Sequence, residues 1–571
     1  MSQARPSQEH GDNPETQPGA PHLESQLDNE KTDDNNELPD TTAAYPPTRR
    51  TIAIMIPLFL TSFLIALDRL IIGVAVPSIT DQFHSLGDVG WYGSAYLLTS
   101  CSFMMVGGKL YTLFNPKWVY LASLIVFELG SAVCGGAPNS KSLIVGRAIA
   151  GLGQACLLQG AIIIIVYVVP LHKRPQLMGL IGMVFGIACA IGPLVGGAFT
   201  SGPGWRWCFW INLPCGGIVF ALLILFLQIP SKMLERKPET YREKVKRIDL
   251  LGATFLPSSV VCLLLALQWG GLEYSWSNFR VVIPLVFSGL LFIMFTIVQK
   301  WRGDAALLPS HIFRNRTVLA GAWFSFFSGA TLQTLLFYLP IWFQAIKGSS
   351  PIRSGILILP MVIGIVVSSL STGILTKKLG YYTQWLILSS VLTPIGAGLI
   401  STITPSTPGG TLIGYQALAG LGIGFGAQQP SVAAQTALPR KDVAIGASLM
   451  MFCQVLGGAV FICVGNNIFQ SALVSNLASV AGIDLISVAK VGATDLRDMV
   501  PAELLPNVLV AYNAALRDLF YLVTGLACVM IFGALAVEWK SVKDKSKRQT
   551  QKKDPQALAD ADGTEAAGEK A

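Results

Sequence analysis

The chain has 571 residues, of which 52% are apolar and 13% charged, and it carries a formal net charge of +8. A soluble domain has roughly a quarter of its residues charged, and the shortfall here sits in long stretches almost free of Asp, Glu, Lys and Arg. Such stretches need lipid as their solvent, which excludes a soluble globular fold and predicts an all-α protein threaded through a bilayer.

Residues 1–50 are rich in Asp, Glu, Asn, Gln, Pro and Thr. They hold too little apolar area to fold and are expected to form a disordered acidic tail. The long polar lead makes the first span an uncleaved anchor. Fourteen apolar segments follow, each near the roughly 20 residues a helix needs to cross a bilayer. The first six run over 52–76, 91–111, 118–137, 143–169, 175–200 and 208–229, and fill a predicted bundle at 51–230. A basic loop and two additional spans, 250–269 and 281–301, occupy 231–305. The last six, 319–343, 354–376, 384–403, 411–437, 444–469 and 516–539, form a second bundle at 306–540, with an external loop at about 470–515. That loop contains Leu485-Ile-Ser-Val-Ala and Pro501-Ala-Glu-Leu-Leu, candidates for short amphipathic helices. A second disordered tail closes the chain at 541–571.

The cations test this threading, because Lys and Arg collect on the cytoplasmic side. With both termini cytoplasmic, the inner loops hold Arg49, Arg50, Lys109, Lys117, Lys173, Arg174 and the run from Lys232 to Arg247. Lys300, Arg302, Arg314, Arg316, Lys377, Lys378, Arg440, Lys441 and the start of the last tail join them. The outer side keeps far fewer: Lys141, Arg206, Arg280, Lys347, Arg353, Lys490, Arg497 and Arg517. The positive charge is thus a topology signal, and no nucleic-acid partner is expected. The triplet Asn315-Arg316-Thr317 falls on an expected cytoplasmic loop and should carry no glycan. Gly108 to Asn115 after the second span and Gly373 to Gly380 after the tenth form a faint repeat, as two related halves would show. The cysteines of the apolar segments have no CxxC and no companion His, and read as small packing residues.

Four charges fall at membrane depth: Asp68 and Arg69 in the first span, Glu128 in the third and Arg147 in the fourth. Each costs roughly 2.5–3.5 kcal/mol at the centre of a span, and so needs a partner or a wet cavity. Asp68 and Arg69, being adjacent, point about 100° apart on a helix. Arg147 cannot lose its proton, whereas Asp68 and Glu128 can; a carboxylate facing a permanent cation is a natural entry point for a proton. For Glu128 a static structural role weighs equally. In the fifth span Gly182, Gly186 and Ala190 recur every four residues, a smooth face for another helix. Pro193 removes a backbone donor and should bend that helix; Gly192-Pro193-Leu-Val-Gly196-Gly197 is the more specific signal.

These residues carry a resemblance. Arg147-Ala-Ile-Ala-Gly151-Leu-Gly153-Gln154 resembles the fourth-span motif of the major facilitator superfamily, where the arginine is linked to proton transfer. Gly186 to Gly197 resembles the fifth-span antiporter motif found in exporters. Leu67-Asp68-Arg69-Leu-Ile-Ile-Gly-Val-Ala-Val-Pro77 and Trp205-Arg206-Trp207-Cys-Phe-Trp210-Ile-Asn212-Leu-Pro214 resemble segments of the fourteen-span drug:proton antiporters, and the chain is most similar to their fungal branch of toxin and secondary-metabolite efflux pumps. Thr112 stands where the gating-loop motif usually has an acid, so a charge-relay form of that gate is in question. The resemblance implies two six-helix bundles plus two extra helices and a central cavity. Its candidate lining is Gln154, Gln159, Trp323, Gln333, Tyr338, Gln428, Gln429, Gln454 and Asn466. It also implies proton-coupled export of small amphipathic molecules by a monomer, most often of the plasma membrane, with the vacuolar membrane as the other location. No cofactor or metal is expected. Proton-coupled uptake of a nutrient or siderophore, a non-transporting sensor and a polytopic enzyme are the alternatives. The enzyme reading lacks a nucleophile, base or metal at depth, since all five histidines lie in tails or loops.

Overall fold

A computed structural model describes residues 46–85, 88–229, 249–271, 273–439, 441–478, 500–501 and 503–543. Most of both predicted tails, the basic loop at 230–248, Arg440 and the Leu485 segment lie outside the described residues. Those described form helices and turns with no strand, the nearest features being the isolated bridges Gly270 with Tyr274 and Tyr381 with Ser541.

The long helices, in chain order, are α1 (Thr48–Phe83), α2 (Val89–Leu113), α3 (Pro116–Gly135), α4 (Ser140–Val168), α5 (Arg174–Ser201) and α6 (Asn212–Phe226). Then come α7 (Leu250–Trp269), α8 (Phe279–Arg302), α9 (Arg316–Ala345), α10 (Leu359–Leu379), α11 (Thr383–Ser401), α12 (Gly409–Gly426), α13 (Val443–Leu477) and α14 (Leu505–Ala536). Among the described residues, twelve helical segments are long and apolar enough to cross a membrane. The glycine- and hydroxyl-rich α2 and α12 are not among them.

Asparagine starts several of these helices. Asn115, Asn139, Asn278 and Asn315 each accept from a backbone N–H in the following turn, satisfying donors that helix geometry leaves open. The asparagine of the Asn-Arg-Thr triplet is therefore a helix cap, accepting from Thr317 and Val318. Besides 208–229, which breaks at Ile211 between Trp207–Trp210 and α6, two expected spans are interrupted. Residues 354–376 divide at Ile358 between Pro351–Leu357 and α10, and 411–437 divides near Gln428 between α12 and Gln429–Ala437. Each second piece has proline in its first turn, where the missing N–H costs nothing. The Pro501 segment does not form a separate helix but leads into α14, which begins 11 residues ahead of the expected 516.

The packing repeats itself. In the first set α1 packs on α5 and α6, and α4 on α2 and α3; in the second, α9 packs on α13 and α14, and α12 on α10 and α11. The sets meet where α5 lies on α10 and α2 on α13, which are corresponding helices exchanged. This is the contact pattern of a pseudo-twofold axis. α7 and α8 pair with each other, and α7 also touches α2 and α13. The most apolar window of α4 is 83% buried and that of α8 17%, so α4 is a core helix and α8 a peripheral one.

Candidate functional site

Small residues bring α3 and α4 into close contact. A Cβ on Gly130 would strike the backbone of Ala150, and one on Gly153 the backbone of Phe127, so α3 and α4 touch main chain to main chain. Further along α4, Arg147 reaches α1. Its Nη1 donates to Asp68 Oδ2 at 2.7 Å, with the two side chains 1% and 0% exposed. Its Nε donates to the Tyr92 carbonyl at 3.0 Å, and the guanidinium lies 4.2 Å from the centre of the Tyr96 ring. Asn212, at the start of α6, donates through Nδ2 to Asp68 Oδ1 at 3.1 Å and to Ser131 Oγ at 3.1 Å. Five helices, α1, α2, α3, α4 and α6, thus converge on one carboxylate.

Glu128 stands apart. Its carboxyl has no hydrogen-bond partner and abuts Gly216 of α6, where a side chain would leave it no room. The groove around it is lined by Leu124, Leu129, Leu213 and Phe220.

The glycine-proline run of α5 serves two neighbours. Gly182 and Gly186 face α10, where a Cβ would meet Ser369 Oγ and Val366 Cγ2; Gly192 and Gly196 face α1, against Leu70 and Ile71. Gly197 lies on Ile352, and Pro193 on Gly355. The helix continues through Pro193 to Ser201. α5 is therefore wedged between the helix that holds Asp68 and the facing helix of the other set. The repeat residues behave alike: Gly108 of α2 packs on Ser448 of α13, and Gly373 of α10 on Pro175 and Gln176 of α5.

The candidate cavity residues separate. Gln333 reaches Arg69 of α1 across the interior. Gln159 donates to the Met104 carbonyl, Tyr338 to the Ile462 carbonyl, and Gln429 accepts from Thr376. Gln154 is buried with its amide oxygen unpartnered. Gln428, Gln454 and Asn466 are partly buried. Trp323 is the exception: it is 46% exposed on the outer face, and its ring N–H donates to the Val529 carbonyl, so it does not line the interior. Its aromatic size suggested a cavity wall, and the packing of α9 on α14 turned it outward. Asn212 had been noted only as part of a motif; nothing in its spacing joins it to Asp68, 144 positions away. Near the end of α2, Lys109 is 6% exposed and donates to the Ala306 carbonyl at 2.6 Å.

The Major Facilitator Superfamily model matches residues 58–462, and the chain belongs to that family. It is a membrane transporter rather than an enzyme. The chain is 48% identical to the MFS-type efflux pump MFS1 of Arthroderma benhamiae over 86% of its own length and 91% of that protein. It is 46% identical to the efflux pump aflT of Aspergillus parasiticus, over 86% of this chain and 96% of that one. Among solved structures, a bacterial homologue of the human lysosomal transporter Spinster superposes with a TM-score of 0.53 at 16% identity, covering 86% of this chain and 98% of that one. That likeness concerns the fold alone.

Proposed function

We propose that this chain exports small amphipathic organic molecules by proton-coupled alternating access, with Asp68 as the proton-carrying group. The carrying observation is the buried pair of Asp68 with Arg147, a cation that cannot itself deprotonate. A proton on Asp68 cancels the pair's attraction. Arg147 then keeps the Tyr92 carbonyl and the Tyr96 and Phe209 rings, none of them on α1, and α1 is released from α4. Because α1 lies on the glycines of α5, and α5 on α10, a shift of α1 is passed to the seam between the two sets. Glu128 is a second protonatable group on the same set, and its unpaired carboxyl suits occupancy by a proton.

Export, as opposed to uptake, is supported by the relatives, which are named efflux pumps, and by the fifth-span glycine-proline run. In the proposed arrangement α2 and α12 also cross the membrane, giving fourteen spans with both termini cytoplasmic. Residues 51–230 and 306–540 act as rocking halves, 231–305 supplies the accessory pair, and the chain works as a monomer in the plasma membrane. Cargo leaves as a proton enters. Everted vesicles with an imposed pH gradient test this. Wild-type protein accumulates a dye cargo and Asp68→Asn does not; a folded Asp68→Asn protein that still builds a gradient would remove the carboxylate from the mechanism.

A further inference from the structure

Arg69 is a membrane-depth cation without a counter-charge among the described residues. Asp68, its neighbour in sequence, already has both oxygens held by Arg147 and Asn212, and it points about 100° away around the helix. The Arg69 guanidinium turns instead toward α9. There Gln333, with its amide oxygen facing the guanidinium, accepts from Nη1 at 2.9 Å and also from Nη2. The electrostatic neighbours of Arg69 are the Tyr96 phenol of α2 and the Cys189 thiol of α5, both neutral at physiological pH. Among the described residues, no Asp or Glu forms an ion pair with it.

A guanidinium stays charged under all physiological conditions. Holding one inside a membrane protein without a carboxylate is costly, and such residues mark ligand paths. Gln333 satisfies two N–H groups but neutralises nothing. The planar fork of an arginine matches a carboxylate, phenolate or enolate, with charge-assisted hydrogen bonds that a neutral amide cannot equal. Position adds a second argument, because α1 and α9 are corresponding helices of the two sets. A group seated between Arg69 and Gln333 touches both. The Gln333 side chain lies directly on Gly458 of α13, where a Cβ would come within 2.5 Å of Gln333 Cγ. Rotation about its last bond lets the Gln333 amide present its N–H instead of its oxygen.

We propose that Arg69, with Gln333 opposite, is the seat for an anionic group of the cargo, so that the transported class is organic acids carrying an ionised carboxylate, phenolate or enolate on an apolar body. This rests on the export reading above and names the chemistry of its substrate. An arriving anion replaces the Gln333 oxygen at the guanidinium and receives a hydrogen bond from each set of helices.

The test compares two xanthene dyes of opposite charge, fluorescein and rhodamine 123, by fluorescence anisotropy on the purified full-length chain in detergent. Wild-type protein binds fluorescein about tenfold or more tightly than rhodamine 123. Arg69→Gln loses that preference, Arg69→Lys keeps part of it, and Gln333→Leu weakens fluorescein while leaving rhodamine 123 unchanged. Monodisperse elution and an unchanged melting temperature establish that each variant is folded. Should Arg69→Gln fail to fold, the lysine and Gln333 variants carry the comparison. Wild type with no preference for the anion, or a folded Arg69→Gln with unaltered fluorescein affinity, overturns the proposal. The same protein in proteoliposomes with a pH gradient keeps the two readings apart. Arg69-dependent fluorescein binding without gradient-driven movement of either dye sustains the anion seat and removes the export mechanism.

Discussion

Asp68 has both of its oxygens occupied by side chains of other helices, Arg147 on one and Asn212 on the other. Removing either partner leaves a buried charge short of compensation. Arg147→Ala is expected to cost about 3–5 kcal/mol of stability, and Asn212→Ala about 1–3 kcal/mol, both read from thermal unfolding in detergent. Replacing both charges, as Asp68→Asn with Arg147→Gln, should cost less than Arg147→Ala alone, because no isolated ion remains. Such a protein is expected to fold and to be inert in the vesicle assay; pH-driven transport by it would contradict the role given to the pair. The sequence allows the pairing of Asp68 with Arg147 to be anticipated, since two opposite charges in apolar spans have few other ways to be tolerated. The contributions of Asn212, Ser131 and the Tyr92 carbonyl were not legible. Hydrogen bonds between helices depend on rotation about each axis, and the apolar spans show little periodicity that would fix it.

Among the helices, α5 is where the consequences of single atoms concentrate. A methyl on Gly186 would press on Val366 Cγ2, the end of a side chain, whereas one on Gly179 would press on the backbone oxygen of Ser369. Gly186→Ala is therefore expected to slow transport and to be rescued by Val366→Ala. Gly179→Ala should have no side-chain rescue on α10. Equal behaviour of the two in initial-rate measurements would show that the contact does not limit movement. The positions of the helices followed from apolar run length, and most boundaries agree within a few residues. The early start of α14 carries no apolar-run signal, because its first turns, from Leu505 to about Leu516, mix polar and apolar residues. The breaks at Ile358 and Gln428 were written in Pro360 and Pro430, but a proline within an apolar run is compatible with a continuous helix as well, as Pro193 shows in α5.

At the scale of the whole molecule, the chain just after α14 fastens the end of the second set. Glu538 accepts from Thr317 and pairs with Lys540 at 2.5 Å, while its carbonyl accepts from Tyr382 and Thr383. The Lys540 ammonium, helped by Thr317, holds the Glu538 carboxyl below the usual carboxylate range. A carboxyl with a depressed folded-state pKa contributes stability above its unfolded value, about 4.3, and loses it as pH falls through the lower folded one. The fastening should thus be constant across neutral pH and loosen only in acid. Limited proteolysis of the segment after Ala536 reads this out, and Glu538→Gln is expected to flatten the profile. The repeated packing is visible in the sequence only as two glycine-opened segments with lysines nearby. The docking of each glycine on the opposite set relates positions hundreds of residues apart, which no local pattern encodes.

The end of α2 carries another contact at that scale. Where an acid is customary, Thr112 donates to the Lys109 carbonyl, and the Lys109 ammonium takes the Ala306 carbonyl, in the short connection between α8 and α9. Asp249, at the head of α7, secures the same connection through Gln299 and the Leu307 amide. α7 and α8 are hence tied to the end of α2 by the strap that follows α8. Excising them to make a twelve-helix version is expected to unseat the Lys109 ammonium, so that the damage would show at the end of α2, far from the lipid-facing surface that was cut.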